Sequence, residues 1–174
     1  MKVFFCYIFL LIFTQAISQT SLIQQLVDQK LTVTLSEQII EDPLSKKIIE
    51  GGEKNLFQLA NLFSNNTETT IFSKCHNRKI TIGEVAIVLA DKIERIPYFL
   101  VFRIQNCTMS SCDNNPNFVE YYFSSRLRTL QAKERYINWL LFDKSRWKDK
   151  KGKERKQSKE FVKQWRKELN NSHS

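Results

Sequence analysis

The sequence has few of the residues that common catalytic and metal-binding motifs require. Four glycines occur in 174 residues, and the chain contains no Gly-rich phosphate loop, no G-x-S-x-G elbow and no H-E-x-x-H motif. Only two histidines, His76 and His173, could supply imidazole ligands for a metal. We therefore expect no catalytic residue, no metal site and no cofactor, and we predict that the protein is not an enzyme.

Long apolar runs are also missing, except near the start of the chain. Lys2 is followed by eleven apolar residues, 3–13, and then by the small-x-small pattern Ala16-Ile17-Ser18, which is typical of a secretory signal peptide. The apolar run is shorter than the ~20 residues that span a bilayer. We predict a signal peptide over 1–18, a secreted, extracellular mature chain and no transmembrane segment. An uncleaved signal anchor is the alternative interpretation.

Cysteines are few as well. Cleavage would remove Cys6 and leave Cys75, Cys107 and Cys112. In an oxidising compartment two of these three should pair, and the third should stay free or join another chain. Because Cys107 and Cys112 are close in sequence, the loop between them is the easiest to close, and we favour that disulfide. A bridge from Cys75 to either of them would join two separate elements and stays open.

Three N-glycosylation sequons agree with export, and they begin at Asn65, Asn106 and Asn170. Asn65 is the best placed, because it lies in a polar turn between two apolar segments. Asn106 is followed by Cys107, so its glycosylation would compete with disulfide formation. The alternative for each sequon is chance occurrence in an Asn-rich chain.

The charge imbalance of the chain is confined to its last part. The whole sequence has 27 Lys and Arg against 18 Asp and Glu. Residues 144–169 hold 12 basic and 4 acidic side chains, whereas residues 19–143 hold 14 of each. This distribution predicts an appended basic element with its own behaviour rather than a uniformly basic domain.

The appended element divides into two parts. Residues 148–157 have almost no apolar side chains and include Gly152, which predicts a flexible connector. The residues after Gln157 predict an amphipathic helix. Either this helix packs onto the domain with its lysines in water, or its basic surface binds an anionic partner. The apolar residues on one side of the helix are Phe161, Val162, Trp165 and Leu169.

The partner expected for such a surface is an extracellular polyanion. An anionic polysaccharide such as a sulfated glycosaminoglycan, or an acidic lipid surface, would fit, whereas nucleic acid is not expected outside the cell. The preferred function is accordingly a secreted, noncatalytic binding or interaction module. The candidate polyanion-binding residues are Lys148, Lys150, Lys151, Lys153, Arg155 and Lys156.

Helix signals dominate the first third of the mature chain. Apolar residues at every fourth position predict a helix over 22–40, despite β-branched residues in its middle. Pro43 and Gly51 then break the chain around a short apolar turn. A second helix is expected over 53–63, where apolar residues again have the spacing of one helical face.

Strand signals follow. β-branched and aromatic residues predict a strand over 69–75, and a helix over 81–97 should begin with a capping box formed by Thr81 and Glu84. Beyond Pro97 the pattern changes to alternation, and polar turns separate the segments, which favours antiparallel neighbours. The three long strands predicted from this alternation are 98–107, 118–131 and 134–147.

This order of elements predicts an α+β domain over 19–147, with helices on one face of a curved antiparallel sheet, and a basic tail over 148–174. Residues 55–93 combine an apolar helix, a strand ending in Cys75, a polar turn and a helix begun by Thr81. This pattern resembles the nuclear transport factor two-like family, in particular its small secreted nematode-type members. A cystatin-type inhibitor has a related helix-on-sheet shape, but the Q-x-V-x-G loop of that family is absent.

The resemblance implies a cone-like domain with an interior pocket. Enzymes of this fold use a His or carboxylate in the cone as a general base, which directs attention to His76, Asp91 and Asp143. We expect His76 and Asp91 to face solvent and Asp143 to mark a strand end. Since the family also includes domains without activity, the fold alone implies no reaction. A small-ligand carrier or an enzyme that uses the cone interior is the alternative function.

Overall fold

The computed structural model describes residues 21–103, 115–117, 119, 120, 123, 126–147 and 150–171, and of 126–130 the backbone only. This part of the chain contains seven α-helices, three 3-10 segments and one antiparallel pair of strands. The structure is therefore mixed helix and sheet, which confirms the predicted α+β class in its general sense. In chain order the elements are α1 (Leu22–Val27), α2 (Pro43–Glu50), α3 (Leu56–Leu62), β1 (Glu68–Ser73), β2 (Arg78–Thr81), α4 (Ile82–Ile93), α5 (Tyr98–Phe102), α6 (Arg126–Phe142) and α7 (Gly152–Asn171), and the 3-10 segments span Ser36–Glu41, Gly52–Asn55 and Lys144–Trp147.

The two strands form a short hairpin with one buried face. Side chains of β1 alternate, so that Thr69, Ile71 and Ser73 face the core, as the period of a strand requires. In the turn, Asn77 has a left-handed backbone with a φ of 48°. β1 confirms the predicted strand. β2 is absent from the sequence prediction, because its four residues include two cations and a single aliphatic side chain, Ile80.

α4 lies in the core, and its first nine residues are buried. The Thr81 hydroxyl accepts a hydrogen bond from the backbone N–H of Glu84 (3.2 Å), and the Glu84 carboxylate accepts one from the backbone N–H of Thr81 (2.8 Å). This reciprocal pair confirms the predicted capping box. Gly83 allows α4 to start against the end of α3, because a Cβ at this position would lie 2.5 Å from the carbonyl oxygen of Phe63.

The helix predicted over 22–40 is wrong beyond Val27. Gln29 has a left-handed backbone with a φ of 55°, which ends the helix. Residues 32–34 are Thr-Val-Thr, and such β-branched residues favour extended backbone. Leu35 then forms a parallel bridge with Phe72 of β1, so this stretch joins the hairpin instead of extending α1.

The short apolar turn expected after Pro43 is instead helix α2. Asp42 caps the helix, since its carboxylate accepts hydrogen bonds from the backbone N–H groups of Leu44 (2.8 Å) and Ser45 (3.2 Å). Pro43 occupies the first helical position, where its fixed φ favours the helix and its missing N–H costs nothing.

The three long strands predicted over 98–147 are wrong wherever the structure describes them. The first of these segments begins with α5, and the third lies mostly in α6. The described residues therefore provide no curved sheet for the helices to cover. In α6, the buried residues Ala132, Tyr136 and Leu140 recur at every fourth position, which is the period of one helical face.

α7 packs onto the rest of the protein through its apolar side. Val162 and Trp165 belong to the same buried cluster as residues of α3 and α4, and the Trp165 ring stacks on Phe57 with centroids 5.9 Å apart. Packing onto the domain, one of the two alternatives for this helix, is therefore observed, and it leaves the basic side of the helix exposed. The flexible connector predicted over 148–157 is wrong from Gly152 onward, because α7 begins at that residue.

Candidate functional site

The three residues considered as general bases each serve local structure. The His76 ring donates from Nε2 to the backbone carbonyl of Glu120 at 2.7 Å. Asp91 accepts hydrogen bonds from the backbone N–H of Ile96 and from the Tyr98 hydroxyl, both at 2.9 Å. His76 and Asp91 are thus not the solvent-facing side chains that we expected.

Asp143 follows α6, so it does not mark a strand end. Its carboxylate accepts a hydrogen bond from the backbone N–H of Ser145 at 2.7 Å, at the start of a 3-10 segment. Asp143 therefore lies on a different element from His76 and from Asp91, and each of the three holds its own turn or helix end.

A buried polar cluster surrounds Glu120, whose carboxylate accepts hydrogen bonds from three neutral side chains. The hydroxyls of Ser36 (2.9 Å) and Ser73 donate to one oxygen, and the Asn115 amide donates to the other at 2.6 Å. Ser, His and Glu meet here, but the His76 ring contacts a backbone carbonyl and not the Ser73 hydroxyl. Because Ser73 and Glu120 are 0% and 1% exposed, no substrate can reach this hydroxyl, and we interpret the cluster as structural.

A second buried polar group, which we call the Arg146 centre, comprises Arg146, Glu53, Glu94, Lys150 and Ser158. The Arg146 side chain is 0% exposed. Its Nε donates to Glu94 at 2.9 Å and its Nη2 donates to Glu94 at 2.8 Å and also to Glu53. Burial opposes the charge of Arg146, but the hydrogen bonds and charges of Glu94 and Glu53 outweigh it and raise the pKa of the guanidinium.

Three tryptophans enclose this guanidinium. The Arg146 Cζ atom lies 5.5 Å from the ring centroid of Trp139, 5.0 Å from that of Trp147 and 5.8 Å from that of Trp165. These distances are within the range of cation–π attraction. The Arg146 centre thereby connects α7, which carries Trp165, to α6 and to the 3-10 segment that contains Arg146.

Lys150 is the predicted polyanion-binding residue that the structure places inside the protein. Its ammonium lies 3.2 Å from a carboxylate oxygen of Glu53 and 3.2 Å from one of Glu94, and it donates to the Ser158 hydroxyl at 3.2 Å. With 14% of its side chain exposed, Lys150 is already neutralised within the fold. The other predicted residues divide as follows: Lys151, Lys153, Arg155 and Lys156 are exposed, and Lys148 lies outside the described residues.

A positive surface follows one side of α7. A helix advances 100° per residue, so cations three or four positions apart share a side, and the acidic residues of α7 fall outside it. Arg155, Lys156, Lys159, Lys163, Arg166 and Lys167 form this surface, which we call the cationic flank.

The cationic flank borders a groove of about 600 Å³. The groove is lined by flank residues, by the aromatic and aliphatic side chains at its base and by the amides at the end of α7: Lys159, Lys163, Arg166, Lys167, Trp147, Val162, Asn170 and Asn171. Among the residues that the structure describes, no acidic side chain lines this groove. Within the described residues, no ion pair involves Lys159, Lys163 or Lys167, so their charges face solvent without an acidic partner.

Arg166 is a flank residue that the fold holds in place. Its guanidinium donates to the backbone carbonyl of Leu141 and lies over the Phe142 ring, 4.8 Å from the centroid. Arg166 therefore joins the cationic flank to the end of α6. The residues predicted to bind a polyanion lie upstream of Ser158, whereas the basic surface predicted for the helix after Gln157 consists of Lys159, Lys163, Arg166 and Lys167, spaced three or four residues apart or adjacent.

Some of the predicted modification sites lie within the residues that the structure describes. The Asn65 side chain accepts a hydrogen bond from the backbone N–H of Thr67 at 3.0 Å, in the turn between α3 and β1, and Asn170 is exposed at the end of α7. Glycosylation of both stays a prediction. Asn106 and the disulfide predicted between Cys107 and Cys112 lie outside the described residues. Cys75 is disulfide-bonded.

Across the described ranges, no three His, Cys, Asp or Glu side chains gather as metal ligands. Those ranges also contain no helix that combines the length and the apolar character needed to cross a membrane. Comparison of the chain with protein-family models, with curated proteins and with solved structures gives no match.

Proposed function

We propose that this protein is a secreted, noncatalytic binding module that uses the cationic flank of α7 to bind an anionic partner. The observation that carries the proposal is the segregation of charge on α7, where the six cations of the flank share one side of the helix and four of them, Lys159, Lys163, Arg166 and Lys167, line a groove. The nuclear transport factor two-like resemblance, with its cone-like pocket for a carrier or an enzyme, stays a prediction.

The exposure and the spacing of the flank lysines support a role in binding rather than in stabilising the fold. Lys159, Lys163 and Lys167 are exposed and four residues apart, so neighbouring positive charges repel each other along the helix. An anionic partner would relieve the repulsion and would gain Coulomb attraction, which salt screens over about 10 Å at ~0.1 M.

The test is salt-dependent retention of the mature protein on immobilised heparin. The variant Lys159→Gln/Lys163→Gln/Lys167→Gln should elute at a clearly lower salt concentration than the wild-type protein. A control variant with the same loss of charge, Lys30→Gln/Lys46→Gln/Lys79→Gln, changes exposed lysines outside α7 and should elute close to the wild-type protein. Equal shifts in the two variants would show that retention depends on net charge alone and would refute a role for the flank.

Deletion of the whole C-terminal segment is an unsuitable test. Removing residues 148–174 would also remove Trp165 from the ring of Phe57 and Lys150 from the Arg146 centre. A loss of binding in that variant would then follow from loss of stability as readily as from loss of charge. Substitution of the exposed lysines leaves the buried side of α7 intact.

A further inference from the structure

A group of exposed apolar side chains lies at the junction of α5 and α6. Phe99 is 70% exposed, Leu100 52% and Phe142 59%, and we call these three residues the apolar patch. Single exposed apolar residues are ordinary, but adjacent ones on a water-facing surface mark interaction sites. The three line a common groove of about 440 Å³ with Arg103, Arg135 and Asn138 among its other residues.

The apolar patch is held by the fold and does not result from fraying. In the five-residue helix α5, Val101 and Phe102 are buried, which turns Phe99 and Leu100 outward. The Tyr98 hydroxyl anchors the helix start to Asp91 at 2.9 Å. The exposed residues are therefore presented on an element whose other side belongs to the core.

The groove beside the apolar patch is lined by two arginines, Arg103 and Arg135, and by one carboxylate, that of Asp143. Arg135 donates to the carbonyl of Val101 at 3.2 Å and lines the patch groove together with Arg103. On the other side, Arg166 of the cationic flank lies over the Phe142 ring at 4.8 Å. Phe142 and Arg166 thus join the patch and the flank into one continuous surface.

We infer that the anionic partner is a lipid bilayer surface, which the cationic flank and the apolar patch bind together. This inference rests on the proposed function and names its partner. A polysaccharide or another hydrophilic polyanion would neutralise the lysines but would leave Phe99 and Leu100 in water. A bilayer interface accepts both components, since apolar side chains enter the boundary between headgroups and acyl chains while lysines bind the phosphates.

The experiment is co-sedimentation of the mature protein with two kinds of vesicle, pure phosphatidylcholine and phosphatidylcholine with about one-fifth phosphatidylserine. The protein should bind the anionic vesicles and should bind the neutral ones weakly. The variant Phe99→Ser/Leu100→Ser should lose about tenfold or more in affinity for the anionic vesicles. Its elution from heparin should not change, because its lysines are intact.

Matched controls separate the patch from general effects. Phe72, an exposed aromatic residue of β1, provides the variant Phe72→Thr, which should bind vesicles like the wild-type protein. Thermal unfolding of each variant shows whether it folds, and the single change Leu100→Ser provides a milder version of the patch variant, with a smaller loss of vesicle affinity expected.

Three results have distinct meanings. Retention on heparin without binding to anionic vesicles would overturn the lipid inference and would leave the proposed function standing, with a polysaccharide as partner. Vesicle binding that the patch variants do not weaken would also overturn the inference, because the flank alone would then account for it. Failure to bind both heparin and anionic vesicles would refute the proposed function itself.

Discussion

The basic segment near the C-terminus contains cations in two opposite environments. Arg146 and Lys150 are enclosed by the protein and paired with Glu53 and Glu94, whereas the lysines of the cationic flank face solvent without an acidic partner among the described residues. Both sets belong to one continuous run of positive charge in the sequence. The difference shows that a basic run is not a functional unit, because the direction of each side chain decides whether its charge stabilises the fold or stays available to a partner.

The energetics of the two environments differ as well. In the Arg146 centre two cations face two carboxylates, so the buried charges balance, and the tryptophan rings and the Ser158 hydroxyl add further partners. Such a group stabilises the fold only when all its members are present, because removal of one leaves a buried charge uncompensated. A solvated lysine on the flank has no such dependence, and its removal costs little.

The largest effect is expected from the variant Arg146→Met. Two carboxylates would lose their main partner, and the free energy of unfolding should fall by about 3–5 kcal/mol. Urea-induced unfolding measures this change. The control is Arg155→Met on the exposed side of α7, which should stay within about 0.5 kcal/mol of the wild-type protein. A loss below about 1 kcal/mol in Arg146→Met would contradict the enclosed, paired state of this guanidinium.

The neighbouring residues Lys150 and Lys151 allow a sharper comparison of the two environments. Lys150→Met should lower the free energy of unfolding by about 1–2 kcal/mol, because Glu53, Glu94 and Ser158 each lose a charged hydrogen-bond partner. Lys151→Met changes an exposed side chain and should have an effect within about 0.5 kcal/mol. Both values come from the same urea titration. Equal effects in the two variants would mean that Lys150 is not part of a buried centre.

The elements that the sequence predicts correctly are those with local signals. The capping box of α4 involves Thr81 and Glu84, three residues apart, and the alternation of β1 is contained in six residues. α2 also has local start signals, Asp42 and Pro43, but its short apolar run resembles a turn. Local chemistry thus defines where these elements begin and which side faces inward.

The elements that were predicted wrongly depend on distant partners. α6 contains a dense apolar run whose alternation mimics a strand, and in the fold its Tyr136 ring stacks on Phe63 with centroids 5.0 Å apart. The Arg146 centre joins residues 93 positions apart in the sequence, which no local pattern can indicate. The abundance of Leu, Ala, Lys, Glu and Arg in residues 126–142 is the overlooked signal, since these residues favour helices.

A smaller effect is expected at Tyr136, which lies next to the Arg146 centre. Its hydroxyl is buried without a hydrogen-bond partner in the described part of the chain. Tyr136→Phe should therefore leave the free energy of unfolding unchanged or raise it by about 1 kcal/mol at neutral pH. Burial, with the charge of Glu94, raises the pKa of Tyr136 well above its ordinary value.

This raised pKa predicts a pH dependence with a definite sign. The unfolded chain releases the tyrosine proton near pH ~10, whereas the folded protein retains it, so the stability contributed by Tyr136 is complete below this pH and is lost as the pH rises above it. The variant Tyr136→Phe should show a shallower loss of stability between pH ~9 and ~11. If the stability of the wild-type protein and that of Tyr136→Phe fell equally as the pH rose, the Tyr136 hydroxyl would have the same pKa in the folded and unfolded states.

The smallest effect on stability is expected from substitution of the flank lysines, which should have the largest effect on binding. Lys159→Gln/Lys163→Gln/Lys167→Gln removes like charges that are four residues apart on α7, and each such pair is unfavourable by about 0.2–0.5 kcal/mol. The free energy of unfolding should thus stay the same or rise slightly, with the larger rise at low salt, where screening is weak. Thermal unfolding at two salt concentrations measures both points. A clear loss of stability in this variant would mean that the flank lysines support the fold after all, and the contrast with Arg146 and Lys150 would then fail.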